Sequence, residues 1–145
     1  MSLLDRIPHW RLVKMATVLT ALSPLVGAAS PESNAAARDA AGPLAQQGAI
    51  LYAVKCASCH GTRLEGGQHA PPLTGAAFRE SWNQKTARNF YSRVLSTMPV
   101  NDPGSLAPEE VLRITLFCLA TNGMKFNDEP ANVAALNKLK LQWDK

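Results

Sequence analysis

Residues 51–67 read LYAVKCASCHGTRLEGG. Two of the chain's three cysteines, Cys56 and Cys59, fall in this stretch, and His60 follows the second without a gap. Upstream, Leu44, Gly48, Leu51 and Tyr52 fall at helical spacing while Gln46, Gln47 and Lys55 lie on other faces, which predicts a helix from Pro43 into the cysteine pair. Downstream, GTRLEGGQHAPPLTG (61–75) is dense in glycine and proline and predicts a loop. A helix thus delivers two thiols and an imidazole to the start of a loop, and the rest of the chain decides what they do there.

The length of 145 residues allows one small domain with extensions, and no internal repeat is visible. Arg6, Arg11 and Lys14 precede the apolar MATVLTALSPLVGAA (15–29), which ends in small residues. This reads as an export signal over residues 1–29, too short to span a bilayer comfortably, though an uncleaved anchor is the alternative. No cysteine stands near the expected cut, which argues against a bacterial lipid anchor. The formal charge of +4 then shrinks: of 15 basic and 11 acidic residues, loss of Arg6, Arg11, Lys14 and Asp5 leaves 12 and 10. A near-neutral chain lacks the basic stripe of a nucleic-acid binder. Export places it in an oxidising compartment, here the periplasm, where three cysteines cannot all pair.

Residues 30–42 read as a flexible lead-in, 43–126 as the folded domain and 127–145 as a C-terminal extension. Phe90, Tyr91, Val94 and Leu95 make one apolar stripe, predicting a helix over 86–97, and one further step reaches Met98 before Pro99. VNDPGSLAP (100–108) is loop. Pro108, Glu109 and Glu110 open a strongly apolar helix that stops at Gly123, although Ala107 is a poor N-cap. The tail EPANVAALNKLKLQWDK (129–145) shows weak helical spacing at Val133, Leu136 and Trp143. No alternating run is present, so the fold class is all-α.

Against that frame, Cys56-x-x-Cys59-His60 has several readings. A thioredoxin-like pair would need a βαβ setting. Half a zinc site would need a second pair, whereas Cys118 is alone and His9 and His69 are badly placed. A structural disulfide explains neither the histidine nor the glycine-rich loop. Covalent haem attachment explains the whole pattern. Each thiol adds to one vinyl group, two residues span the gap between the vinyls, and His60 lies beneath the iron as proximal ligand. Its second ring nitrogen then needs an acceptor. A thioether as sixth ligand raises the potential and suits electron transfer. Met1 and Met15 belong to the signal, which leaves Met98 and Met124. Met98, at the end of an apolar helix and before a proline, is preferred to core packing alone.

With Gly48 and Tyr52 before CASCHG, then APPLTG (70–75), TMP (97–99) and ATNG (120–123), the chain resembles the class I c-type cytochromes over roughly residues 42–123. The resemblance implies helices wrapped around one covalently bound haem c. It implies that Gly48 and Tyr52 cross the last helix opposite Ile114 and Phe117, that the Pro71 carbonyl accepts from His60, and that Met98 and His60 ligate the iron. LEGGQHAPPLTGAAFRESW (64–82) and TMPVNDPGSLAPEEV (97–111) are further similar to the cytochrome domains and subunits serving quinoprotein alcohol dehydrogenases. That likeness implies electrons arriving from pyrroloquinoline quinone and leaving for the respiratory chain. It also implies a hydrogen bond from Trp82 to a haem propionate, with ordinary core packing as the other reading. Cys118 departs from the more usual leucine near the haem, and its apolar neighbours suit a small buried hydrophobe.

The expected function is a periplasmic single-electron carrier, not an enzyme. Two alternatives stay open: a haem enzyme or sensor with a labile sixth position, and a tightly bound haem subunit of a dehydrogenase complex. Arg79, Lys85, Arg88 and Arg93 form only a loose basic group, with no dense lysine patch to mark a partner.

Overall fold

The computed structural model describes residues 41–143. The expected signal, residues 30–40 of the lead-in, and the last two residues lie outside the described part. Five α-helices follow in order: α1 (Pro43–Lys55), α2 (Ala57–His60), α3 (Gly75–Trp82), α4 (Ala87–Thr97) and α5 (Pro108–Thr121), with a 3₁₀ turn at Val133–Asn137. No strand occurs among the described residues, and the fold is all-α.

The α1–α5 pair is the backbone of the fold. Gly48 makes it possible, since a Cβ there would collide with the Arg113 carbonyl and sit 3.0 Å from Phe117 Cβ. Four residues on, Tyr52 packs its ring 5.4 Å from that of Phe117, at 52°. The observed partners of Gly48 are therefore the Arg113 backbone and Phe117, while Ile114 is buried beside them in the core. Both helices open on proline, where the missing N–H costs nothing. The poor N-cap at Ala107 is offset by Glu110, whose carboxylate accepts from the Ala107 N–H at 2.9 Å. At α1 the orphan donors are met from far along the chain: the Glu129 carboxylate accepts from Leu44 N and Ala45 N, both at 2.8 Å.

Helix α4 matches the sequence expectation, with Phe90, Tyr91 and Val94 buried. Asn89 reaches back to the Thr86 N–H at 2.9 Å and caps its start. Helix α3 has no counterpart in the sequence reading. Its eight residues carry one helical apolar pair, Phe78 and Trp82, too few for a periodic signal. Tertiary contact forms it: Phe78 meets Phe90 at 5.2 Å and Trp143 at 6.2 Å, and Trp82 meets Phe90 at 5.0 Å.

The tail differs from the weak helical expectation. Only Val133–Asn137 makes a turn, capped by the Asn132 side chain. Residues 139–141 instead run beside 84–87, with Gln84 N to Leu141 O, Leu141 N to Lys85 O and Ala87 N to Leu139 O all at 2.8 Å. Trp143 is thus not on a helix with Val133 and Leu136. Leu136 and Leu141 are fully buried, so docking of these side chains overrides a faint local periodicity.

Candidate functional site

The end of α1 and the single turn of α2 present the motif. Cys56 caps α1, its N–H bonded to Tyr52 O at 2.9 Å, and His60 N bonds back to Cys56 O at 3.0 Å. Gly61 closes the turn at φ +79°, a left-handed conformation that glycine adopts without strain. The Tyr52 hydroxyl donates to Gly61 O at 2.7 Å, tying this turn to α1. Burial pushes the Tyr52 phenol well above its ordinary range.

The His60 imidazole is buried, and its Nδ1 lies 2.9 Å from Pro71 O. A carbonyl only accepts, so Nδ1 carries a proton, and in the neutral imidazole the lone pair is left on Nε2. The ring is therefore held in the tautomer a metal ligand needs. Gly66 N donates to His60 O at 2.8 Å, so the same loop grips the backbone too. Pro71 sits in that loop, close to the imidazole it orients.

No disulfide joins any of the three cysteines. Cys59 is exposed and Cys56 half-buried, and burial, then the neighbouring Cys59, pushes the Cys56 thiol up to about 11. Cys118 is fully buried in α5, which raises its thiol far above the usual range and leaves it the small hydrophobe expected. Thr115 lies one helical turn before Cys118, and its buried hydroxyl has no partner among the described residues. No group of three or more His, Cys, Asp or Glu side chains is gathered among those residues, so the half-zinc reading gains no further ligands.

Met98 ends α4, its N–H bonded to Val94 O at 3.0 Å, and its half-buried side chain packs on the core. Trp82 is half-buried between Phe78 and Phe90, with Lys85 Nζ 5.0 Å from its ring centroid. The loose basic group is divided by such contacts: Arg88 stacks over Tyr91 at 5.0 Å. Beside the motif, backbone N–H groups of Glu65 and Arg63 hold the exposed Glu65 carboxyl below its ordinary value.

Two unpaired thiols at the haem spacing and an adjacent imidazole with one nitrogen free fit covalently held haem. A family model described as cytochrome c oxidase, cbb3-type, subunit III matches residues 43–117. The chain belongs to this family of class I c-type cytochromes. Comparisons with curated proteins and with solved structures returned no significant match. As a c-type cytochrome it carries covalently attached haem c, and Cys56, Cys59 and His60 supply the attachment motif. The matched span also holds Pro71, Trp82 and Met98, but ends before Cys118 and Asn122.

Sequence reasoning missed one residue of this cytochrome that the structure brings to the site. Asn122, read only as part of a helix stop, is 3% exposed and bonded into the loop that carries Pro71. Its signal in the sequence was its place in ATNG (120–123), the helix end that carries part of the family resemblance.

Proposed function

We propose that this cytochrome is a periplasmic monohaem carrier that takes single electrons from a quinoprotein dehydrogenase and passes them toward the respiratory chain. The observation that carries the reading is the His60 ring, fixed by Pro71 O at 2.9 Å with Nε2 free beside two attachment thiols. Bound haem c supplies an iron that gains and loses one electron. Cys56 and Cys59 would form the thioether links, His60 would ligate the iron through Nε2, and Met98 would supply a second ligand through its sulfur. The Trp82 ring packs against Phe78, and its indole N–H would donate to a haem propionate. Holding two strong ligands in both oxidation states keeps reorganisation small, and the packed helices keep water away. Encounters with partners use small interfaces.

The reading is tested by mixing the haem-loaded protein with a pyrroloquinoline-quinone alcohol dehydrogenase and its substrate. Reduction at a rate rising with dehydrogenase concentration is expected; no reduction removes that donor. Met98→Ala tests the second ligand: the ferric spectrum turns to that of an open sixth position and the potential falls. An unchanged spectrum and potential would leave the site to enzyme or sensor chemistry.

A second reading, a haem subunit held in a larger oxidoreductase complex, draws on two observations. The family description names an oxidase subunit. On α1, Ile50 and Val54 lie one turn apart at 69% and 75% exposure. Sizing of native extracts separates the two, since a carrier elutes alone.

A further inference from the structure

Asn122 uses its side chain fully. Nδ2 donates to Leu73 O at 2.9 Å and to Cys118 O at 2.8 Å, and Oδ1 accepts from Gly75 N at 3.2 Å. One amide thus grips the loop on either side of Thr74 and ties it to the last turn of α5. Leu73 is held at its other face as well, its N–H donating to Leu64 O at 2.8 Å. Between Leu73 and the carbonyl that orients His60 stands only Pro72. Proline fixes its own φ and restricts the residue before it, so Pro71-Pro72 is a short stiff rod. Holding Leu73 at both its N–H and its carbonyl therefore limits how far Pro71 O can move. Asn122 is in turn held from the tail, because Trp143 Nε1 donates to Asn122 O at 2.8 Å and Trp143 N to Asn83 Oδ1 at 3.3 Å.

We infer that Asn122 is a positioning residue for His60: through Leu73 and the Pro71-Pro72 rod it sets the hydrogen bond on the imidazole Nδ1, and the docked tail steadies it through Trp143. The inference rests on the reading of His60 as an axial ligand. A strong Nδ1–H bond makes the imidazole a more basic ligand, which favours the ferric state. Loosening the clamp weakens that bond and raises the potential. Partners of metal-bound histidines carry effects of roughly 10–100-fold on metal affinity or activity, and a residue one step removed should act more weakly, shifting the ferric-to-ferrous balance by up to about tenfold.

The test uses full-length, haem-loaded protein in three variants, Asn122→Ala, Trp143→Phe and, as a control, Val111→Ala. Val111 is fully buried in the first turn of α5, about three helical turns from Asn122 and outside the tail, so the control loses stability without touching the clamp. Two quantities are read: the reduction potential, and proton exchange at His60 Nδ1 by NMR of the ferrous protein. In the unaltered protein a haem-shifted His60 ring signal is required first; its absence defeats the axial-ligand reading itself, and the inference with it. Given that signal, Asn122→Ala is expected to raise the potential and speed Nδ1 exchange, Trp143→Phe to do so more weakly, and Val111→Ala to do neither. Should Asn122→Ala fail to accumulate, Trp143→Phe decides. Wild-type potential and exchange in the clamp variants, or equal shifts in the control, overturn the inference.

Discussion

At the scale of single residues, the three thiols share one chain and differ in everything their surroundings control. Cys59 is exposed, Cys56 half-buried with its thiol raised to about 11, and Cys118 fully buried. Reaction needs the thiolate and access to it. In folded protein prepared without haem, iodoacetamide at pH 8 should label Cys59 first, Cys56 more slowly and Cys118 last, as peptide mass spectrometry would record. Equal labelling of Cys56 and Cys118 would contradict this order. The sign of the pH effect follows from the shift of Cys56 from an unfolded value of 9.0 to about 11. Between those values the unfolded chain releases a proton that the native one keeps, so the contribution of the Cys56 thiol to the haem-free fold is complete below pH 9 and is lost toward pH 11. The motif itself was fully legible, because two thiols and a histidine in five residues need no fold to be recognised. The acceptor for His60 came only from the family resemblance, and Asn122 was legible only as part of the ATNG helix end, with none of its partners. A polar residue looks the same in sequence whether it meets water or a buried carbonyl.

At the scale of elements, legibility followed the strength of the repeat. Helices α1, α4 and α5 each bury several residues at helical spacing, and their boundaries were readable from proline, glycine and the apolar stripe. Helix α3 was not readable, since one pair of aromatic residues is no period, and its stability is supplied by rings from α4 and the tail. The crossing of α1 and α5 hangs on Gly48, where a methyl group would strike the Arg113 carbonyl, an atom that cannot swing aside. Gly48→Ala should therefore cost about 1–3 kcal/mol, the usual range for overpacking. A thermal melt should fall by roughly 4–8 °C for each kcal/mol in a domain of this size. A melt within one degree of wild type would mean that the helices separate more easily than their packing implies.

At the scale of the whole molecule, the last fifteen described residues are structural rather than appended. Glu129 caps α1, Leu136 and Leu141 fill the core, residues 139–141 pair with 84–87, and Trp143 closes on Phe78 and Asn122. Leu141→Ala should cost about 2–5 kcal/mol in urea unfolding of the haem-loaded protein, the range for a buried leucine. A cost below about 0.5 kcal/mol, typical of surface substitutions, would show that the tail is dispensable. By itself, the sequence determined the helical class, the attachment motif and the elements whose apolar repeat is local, because each is written in residues a few positions apart. Only the tertiary structure decided the partner of each buried polar group, the formation of α3, and the course of the tail as an extended strap. Those outcomes depend on which distant surfaces meet, and contact between residues 80 or more positions apart, as between Glu129 and Leu44, leaves no pattern along the chain.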